Sequence, residues 1–374
     1  MEVPILKLPF DEEDAKALGE ELSQALLSGR LAMGQNARRF EEVFAAFIGA
    51  KFAVGCQSGT AALEMLARAL KLENKAVAVP ALTFMATALA PIAAGARIII
   101  VDVDPVSFQM DYEDLARKIT PETGAVILVH LGGFIAPNWR KIKTLAAAKG
   151  LFFLEDAAHA HGAEIAGLKA GNLGLAGAFS FYPTKVLTTA EGGMVTTNSE
   201  PLYQALLTLR SHGQMDPGSN LHQSFGLNYR PSEIHALLGL RVMRKANWIL
   251  SQRRAAAAIY DGLLKNSPLR PVLASPDEKP AYYKYLALLP NEVDRAKLKE
   301  RLKEEFKVSL AGEVYATALT EQPFFRSHPE TLVNPKGSAP VAEGIARRQI
   351  CLPIWPGLTL EAQEYVVDSL LKSL

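Results

Sequence analysis

Short apolar runs alternate with segments of helical periodicity between residues 50 and 200. Each run has four or five residues and is followed by polar or turn-forming residues. This strand–helix–strand alternation predicts an α/β fold, with a mainly parallel sheet that helices cover on both faces. The predicted strands are 52–56, 76–80, 97–101, 125–129 and 151–154, and the predicted helices are 59–72, 83–94, 111–119 and 138–149.

Two further short strands, 178–181 and 193–197, flank a turn-rich segment that contains Lys185. We expect them to pair with each other around that segment, which makes the sheet mixed. Downstream, a long helical pattern covers 231–265 and begins with Pro231. Proline suits the first position of a helix because its missing N–H would have no partner there.

A charged, proline-containing segment at 275–280 marks a boundary between two domains. We predict a large domain over 1–270 and a smaller C-terminal α/β domain over 271–374. The first 15 or so residues are expected either to join the smaller domain or to reach a partner subunit. The smaller domain contains a predicted strand at 282–289 and predicted helices at 292–306 and 359–373.

The composition narrows the class of protein. Of the 374 residues, 49% are hydrophobic and the net charge is +1, so a sizeable core is possible and no general attraction to nucleic acid or to an anionic membrane is expected. Cys56 and Cys351 are far apart and lack metal-ligand spacing, which predicts reduced thiols in a cytoplasmic protein. No signal peptide is recognisable, and the apolar stretch 85–101 is too interrupted to span a bilayer.

Ser58-Gly59-Thr60 follows the first predicted strand and begins the next helix. Small residues at a helix N-terminus let a phosphate approach free backbone N–H groups and the positive end of the helix dipole. Serine and threonine are also favoured as ordinary helix caps. This segment alone therefore predicts either a phosphate site or a simple cap.

Asp156 stands at the end of the apolar run 151–155, where open α/β sheets bind ligands. Such a carboxylate can hold a proton on a pyridine nitrogen and so make the ring an electron sink, or it can cap the next turn. His159 and His161 follow closely, which also raises the possibility of a metal site. No further ligand cluster supports a metal, and we expect none.

Lys185 follows an aromatic segment that contains Phe179, Phe181 and Tyr182. Apolar surroundings lower the pKa of an amine, so that it forms a Schiff base more readily. With Asp156 upstream, this is the arrangement that a pyridoxal phosphate (PLP) site requires. The alternative is a loop lysine whose ammonium group reaches water.

Three other residues allow both a structural and a functional interpretation. Phe84, at the start of the helix 83–94, is either a core residue or a ring that stacks on a flat ligand. Asn228 and Arg230 precede the long helical pattern. They either form the turn that leads into it or offer an amide and a guanidinium group to an anion.

Together and in this order, these segments resemble the DegT/DnrJ/EryC1/StrS aminotransferases, most of which act on nucleotide-linked keto sugars. The resemblance covers nearly the whole chain, and its combined motifs are specific although each is weak alone. It rests on Gly34 with Arg39-Phe40-Glu41-Glu42, Ser58-Gly59-Thr60-Ala61-Ala62-Leu63, Pro80-Ala81-Leu82-Thr83-Phe84, Val101-Asp102-Val103-Asp104, Val129-His130-Leu131, Glu155-Asp156-Ala157-Ala158, Phe179-Ser180-Phe181, Thr184-Lys185, Glu191-Gly192-Gly193-Met194, Arg210-Ser211-His212-Gly213, Gly226-Leu227-Asn228-Tyr229-Arg230, Leu352-Pro353 and Leu358-Thr359-Leu360.

The resemblance implies fold type I of the PLP-dependent transferases, as in aspartate aminotransferase, with a cofactor that alternates between PLP and pyridoxamine phosphate. Lys185 would form the Schiff base with PLP and later transfer protons, and Asp156 would pair with the pyridine nitrogen. Phe84 would stack on the ring. The residues implied at the phosphate are Ser58, Gly59, Thr60 and Ser180.

The resemblance also implies a homodimer with shared active sites. Asn228 would reach the phosphate from the neighbouring subunit. Arg230 and Tyr315 would contact the substrate, also across the interface. His159 stands where the family often has glutamine, and its imidazole would stack on the cofactor or bond its ring oxygen.

Two departures from the family pattern concern the substrate and the reaction. After Tyr315 the family commonly shows Pro-Leu-His, whereas this chain has Ala316-Thr317-Ala318-Leu319-Thr320 in the region that handles the sugar nucleotide. The PLP-dependent sugar dehydratases of the family have histidine in place of Lys185. The lysine therefore favours transamination.

The expected function is transfer of an amino group from an amino acid, with glutamate as the expected donor, to a keto sugar, expected to be nucleotide-linked, in amino-sugar biosynthesis. The alternatives are a cyclitol ketone as acceptor, another PLP reaction such as elimination or racemisation, and a regulatory protein that kept the fold without turnover. Loops 212–225 and 312–335 are expected to determine the acceptor.

Overall fold

A mixed sheet forms the centre of the computed structural model, which describes residues 1–214, 220–334 and 337–374. The strands are β1 Phe52–Cys56, β2 Ala76–Pro80, β3 Arg97–Val101, β4 Thr123–Val129, β5 Phe152–Asp156, β6 Glu164–Ile165, β7 Leu168–Lys169, β8 Ala176–Ser180, β9 Gly193–Thr197, β10 Arg270–Pro271, β11 Glu278–Lys279, β12 Tyr285–Leu288 and β13 Gln349–Leu352. The central sheet has the order β1-β9-β8-β5-β4-β2-β3. β9 is antiparallel to both neighbours, and every other adjacent pair is parallel.

Helices cover both faces of this sheet. The helices of the described residues are α1 Glu12–Ser28, α2 Gln35–Ile48, α3 Gly59–Ala69, α4 Ala86–Ala93, α5 Tyr112–Lys118, α6 Trp139–Ala148, α7 Glu200–Arg210, α8 Glu233–Arg244, α9 Ala246–Leu263, α10 Arg295–Phe306, α11 Pro323–Ser327, α12 Pro340–Arg348 and α13 Leu360–Ser373. Successive strand residues point to opposite faces. In β5, Phe153 belongs to the core that contains α2 and α6, whereas Leu154 packs in the core that contains α3 and α7.

The predicted α/β class and the mixed, mainly parallel sheet are confirmed. Strands 52–56, 76–80, 97–101 and 193–197 have the predicted limits, and the other central strands differ by one or two residues at one or both ends. Each of these segments is a short apolar run bounded by turn-forming residues, so its limits are visible locally. The helices at 12–28, 35–48, 200–210 and 340–348 were not predicted.

The single helix predicted over 231–265 is wrong, because α8 and α9 are separate helices. The chain breaks at Lys245, whose φ of −103° and ψ of 0° are outside the helical range. The ammonium group of Lys245 contacts Asp11 at 2.6 Å and Asp14 at 2.5 Å, at the start of α1. No glycine or proline marks this break, and it accompanies contacts with a segment more than 200 residues away.

The C-terminal part of the chain contributes a second sheet with the order β10-β12-β13. The strand predicted at 282–289 is shorter, as β12, and the predicted helix 292–306 begins later, because Asp294 accepts hydrogen bonds from the N–H groups of Ala296 and Lys297. Near the N-terminus, the N–H of Val3 donates to the carbonyl of Lys307 at 3.1 Å. The division into domains 1–270 and 271–374 stays a prediction.

A buried glutamate holds the start of α2. Gly34, the residue before this helix, has no side chain to cap it. Glu233, which is 2% exposed, accepts hydrogen bonds from the N–H groups of Gly34 at 2.8 Å, Asn36 at 2.9 Å and Ala37 at 2.8 Å. These are donors that a helix N-terminus cannot satisfy by itself, and a carboxylate also complements the helix dipole. Glu233 thereby joins the first turns of α2 and α8.

We predict that Glu233→Ala lowers the free energy of unfolding by about 3 kcal/mol, because two buried donors and one partly buried donor lose their acceptor. Glu233→Gln keeps an acceptor oxygen and should cost less. Glu364→Ala, at an exposed position of α13, is the matched control and should change stability by less than about 0.5 kcal/mol. Denaturant unfolding measures all three variants, and equal stabilities for Glu233→Ala and the control would contradict this role.

Candidate active site

A cavity of about 450 Å³ opens at the edge of the central sheet where β5 and β8 end. Open α/β sheets bind ligands at the carboxyl ends of their strands. The first turn of α3 and the loop after β8 form adjoining walls. Residues proposed from the sequence that line this cavity are Ser58, Gly59, Thr60, Phe84, Asp156, His159, Ser180, Lys185 and Tyr315.

Asp156 is the last residue of β5 and is only 7% exposed. The hydroxyl of Thr87 donates to its Oδ2 atom at 2.7 Å, and the N–H of Ala158 donates to its Oδ1 atom at 3.1 Å. The two contacts fix the plane of the carboxylate. Because each carboxylate oxygen accepts more than one hydrogen bond, lone pairs remain for a donor inside the cavity.

Lys185 reaches the cavity from the loop after β8, with its Nζ atom 4.8 Å from the centroid of the Tyr283 ring. Burial lowers the pKa of Lys185 to about 8, Asp156 opposes this effect, and the positive charge of Lys284 adds to it. The Nζ atom of Lys284 lies 5.1 Å from the same ring centroid. An amine with such a pKa is partly neutral near pH 8 and can act as a nucleophile.

His159 is buried between two tyrosines. Its ring stacks on Tyr283 with centroids 4.1 Å apart, and its Nε2 atom lies 3.0 Å from the hydroxyl of Tyr315. Burial and the charges of nearby lysines hold the pKa of His159 well below its ordinary value, so the imidazole is neutral. Its Nδ1 atom accepts from the N–H of Gly132 at 3.3 Å. The proton therefore sits on Nε2, which donates to Tyr315.

Tyr283 was not singled out from the sequence, although it contacts several residues of the cavity. Its hydroxyl lies 3.0 Å from the Thr184 hydroxyl, and its ring contacts both Lys185 and His159. Tyr283 precedes β12, about a hundred residues beyond the other wall of the cavity. The pattern Tyr282-Tyr283 signals an aromatic strand, and nothing local distinguishes a cavity residue from a core residue.

The first turn of α3 combines a helix cap with an anion cradle. The side chain of Ser58 accepts from the N–H of Ala61 at 3.1 Å, as a cap does. Among the described residues, no acceptor contacts the N–H groups of Gly59 and Thr60. A Cβ atom on Gly59 would lie 2.7 Å from the Cβ of Ser180, so glycine lets the helix start approach that serine closely. This anion cradle therefore offers the backbone N–H groups of Gly59 and Thr60 beside the hydroxyl groups of Ser58 and Ser180. Such a donor set suits a phosphate.

Asn228 and Arg230 do not line the cavity of their own chain. Asn228 is exposed, and its side-chain oxygen accepts from the N–H of Arg230 at 3.4 Å. Tyr315, by contrast, lies in the cavity of its own chain, so the expectation that it acts across an interface is corrected. Residues 215–219 of the loop 212–225 and residue 335 of the loop 312–335 lie outside the described residues.

His161 is separate from these polar groups. It is fully buried, and its ring contacts the aromatic rings of Phe44, Phe179 and Phe181. Across residues 1–214, 220–334 and 337–374, no group of three or more His, Cys, Asp or Glu side chains is arranged to hold a metal ion. Over the same ranges, no helix combines the length and the apolar character needed to cross a membrane.

A nucleophilic amine, a buried carboxylate and an anion cradle around one cavity are the groups that a PLP-dependent enzyme needs. Residues 12–371 match the model of the DegT/DnrJ/EryC1/StrS aminotransferase family, and the chain belongs to that family. The protein is therefore a PLP-dependent aminotransferase of fold type I, as the sequence predicted. The donor set of the α3 cradle and the carboxylate of Asp156, which line the same cavity, fit this cofactor.

Relatives cover the chain almost completely. A pleiotropic regulatory protein of Geobacillus stearothermophilus is 33% identical over 374 residues, covering 99% of this chain and 98% of that protein. A GDP-perosamine synthase of Escherichia coli O157:H7 is 30% identical over 370 residues, covering 98% and 97% respectively. The structure of S. venezuelae DesV in complex with a ketimine intermediate superposes with a TM-score of 0.91 at 30% identity, covering 99% of this chain and 98% of that one.

We predict that Lys185 in the cofactor-free protein reacts with a small aldehyde and cyanoborohydride with a pH midpoint near 8, because its pKa is about 8. Lys284→Met removes a neighbouring positive charge, so the midpoint should move to higher pH. Asp156→Asn removes a carboxylate that favours the ammonium form, so the midpoint should move to lower pH. Peptide mass spectrometry measures the modification of this single lysine.

The control for this titration is Lys297→Met, which removes an exposed lysine of α10. It should leave the midpoint of Lys185 unchanged. A midpoint of Lys185 near 10.5, the ordinary value for lysine, would contradict the lowered pKa. A shift to lower pH in Lys284→Met, or to higher pH in Asp156→Asn, would contradict the electrostatic explanation.

Proposed function

We propose that this aminotransferase moves an amino group from glutamate to a nucleotide-linked keto sugar, in amino-sugar biosynthesis. The observation that carries the proposal is the position of the Lys185 amine, which shares one cavity with the carboxylate of Asp156 and the α3 cradle. Support for a nucleotide-linked sugar comes from the GDP-perosamine synthase, a relative whose name denotes a sugar linked to a nucleotide.

When bound, PLP supplies an aldehyde that takes up the amino group and a ring that withdraws electrons. In this proposal the amine of Lys185 would hold the cofactor and, when free, would accept the proton of the donor carbon and hold it for return. Asp156 would hold a proton on the ring nitrogen. The N–H groups of Gly59 and Thr60, with the hydroxyl of Ser180, would bind the phosphate.

Two aromatic groups complete the proposed site. Phe84 is 58% exposed at the cavity and is free to cover one face of the cofactor ring. The imidazole of His159 is already covered on one face by Tyr283 and is available to pack against the cofactor with the other. Because His159 is neutral, it adds no charge beside the amine of Lys185. The hydroxyl of Tyr315 is proposed to contact the substrate.

We further propose a homodimer in which Asn228 and Arg230 complete the partner's cavity. Both residues lie outside the cavity of their own chain. Exposed apolar side chains accompany them, with Phe225 59% exposed and Leu227 39% exposed. Neighbouring exposed apolar groups are typical of surfaces that another protein covers. A cytoplasmic location is part of this proposal, and the free, buried thiols of the two cysteines agree with a reducing compartment.

The proposed reaction predicts that the purified protein is yellow and that glutamate bleaches it, because the cofactor is converted to its amino form. A nucleotide-linked keto sugar should then restore the colour, and a free cyclitol ketone should not. Lys185→Ala should lower the rate by about 10²–10⁴-fold, because the proton carrier is lost. Absorbance spectra and product analysis measure both half-reactions.

The control for this experiment is Lys297→Ala, at an exposed position of α10, which should behave as the wild type. Full activity in Lys185→Ala would refute the role of this lysine. Bound cofactor that no amino donor bleaches would favour a regulatory protein. Bleaching followed by amination of the cyclitol ketone would replace the proposed acceptor.

A shared site predicts that two inactive variants complement each other. Lys185→Ala removes the amine, and Asn228→Asp places a negative charge at the proposed phosphate contact. When they are mixed and allowed to exchange subunits, half of the dimers contain one site with both changes and one site with neither. About a quarter of the wild-type activity should then return, as statistical exchange in a twofold dimer requires. Activity equal to the average of the two separate variants would contradict the shared site.

A further inference from the structure

Two buried threonines connect the carboxylate of Asp156 to the start of α4. The hydroxyl of Thr87 lies 2.7 Å from the Oδ2 atom of Asp156, and the hydroxyl of Thr83 lies 2.7 Å from that of Thr87. Thr87 is fully buried, Thr83 is 3% exposed, and Asp156 is 7% exposed. The three side chains therefore form a continuous chain of hydrogen bonds that is almost completely shielded from bulk solvent.

The direction of this chain follows from the number of protons. A carboxylate accepts only, so the single hydroxyl proton of Thr87 points to Asp156. Toward Thr83, the hydroxyl of Thr87 can then only accept, so Thr83 must be the donor. Two hydroxyl dipoles thus point the same way, with their positive ends toward Oδ2. Hydrogen bonds aligned in this manner polarise and strengthen one another.

The hydroxyl of Thr87 has a local alternative that it does not use. Thr87 is the second residue of α4, and Thr83 lies three residues before the helix begins. A threonine hydroxyl in such a place can donate to a nearby backbone carbonyl. Here the hydroxyl instead spans 69 residues of sequence to reach Asp156. The same turn carries Phe84 at the cavity, so one segment supports both the carboxylate and the proposed face of the ring.

We propose that Thr83 and Thr87 are positioning residues that hold Asp156 in the orientation needed to bind the protonated ring nitrogen of PLP. The N–H of Ala158 holds the other oxygen at 3.1 Å, so a donor from the protein fixes each oxygen of the carboxylate. Thr87 acts directly on Asp156, and Thr83, which also lines the cavity, acts on this carboxylate through Thr87. The proposal rests on the assignment of Asp156 to the ring nitrogen in the proposed function.

The test compares two cofactors that differ only at the ring nitrogen. PLP carries the nitrogen, and 1-deazapyridoxal phosphate has a carbon in its place, so it gains nothing from an oriented carboxylate. Thr87→Val keeps the shape of the side chain and removes the hydroxyl. It should raise the Kd for PLP by about tenfold, which is the effect of losing a hydrogen bond to a charged group. The Kd for the deaza compound should change by less than about twofold, since that compound has no ring nitrogen for Asp156 to bind.

Matched variants separate positioning from packing. Thr87→Ser retains the hydroxyl and should restore the wild-type Kd for PLP. Thr83→Val should weaken PLP binding by about threefold, because it removes only the indirect donor. The double variant should bind PLP as Thr87→Val does, because Thr83 has no independent path to Asp156. The thermal midpoint of each cofactor-free variant reports its folding. Thr83→Val tests the chain of hydrogen bonds even if Thr87→Val does not fold.

The outcomes distinguish this inference from the proposed function. Equal weakening of both cofactors in Thr87→Val would show a packing role and overturn the inference, as would an unchanged Kd for PLP. If the two substitutions multiplied their separate effects on the Kd for PLP, the proposed order of hydrogen bonds, from Thr83 through Thr87 to Asp156, would be overturned. If the wild-type protein bound PLP no better than the deaza compound, the assignment of Asp156 itself would fail.

Discussion

The parallel pairing of β5 with β8 is the constraint on which the site depends. Its register places Asp156 opposite Ala178, and the N–H of Ala157 donates to the carbonyl of Ala178 at 2.8 Å. The chain then leaves β8 at Ser180 and reaches Lys185 within one loop. A shift of one residue would turn the side chain of Asp156 to the other face of the sheet. The amine and the carboxylate meet because this register is fixed.

The electrostatics of the cavity follow from that geometry. Burial and the neighbouring Lys284 lower the pKa of Lys185, whereas Asp156 raises it, and the balance leaves an amine with a pKa of about 8. His159 remains neutral because it is buried beside the same lysines. The cavity thus contains an amine that can lose its proton and a carboxylate that is held in place by hydrogen bonds. The free backbone N–H groups at the start of α3 provide, in the same cavity, donors suited to an anion.

The central strands and two residues that face the cavity, Asp156 and Lys185, could be predicted because they leave local signals. The strands are short apolar runs between turn-forming residues. Asp156 ends one such run, and Lys185 lies in the loop that follows another, β8. The break at Lys245 could not be predicted, since it depends on contacts with α1 and lacks a proline or glycine. For the same reason the sequence did not reveal Tyr283 or Thr87, whose contacts join segments far apart in the chain.

Two amines, those of Lys185 and Lys284, lie over the ring of Tyr283, so the decisive question is which lysine carries the cofactor. Reduction of the yellow protein with sodium borohydride fixes the cofactor to the lysine that holds it. Peptide mapping by mass spectrometry then locates the added pyridoxyl group. We expect it on Lys185 alone. A pyridoxyl group on Lys284, or on no lysine of the cavity, would contradict the account.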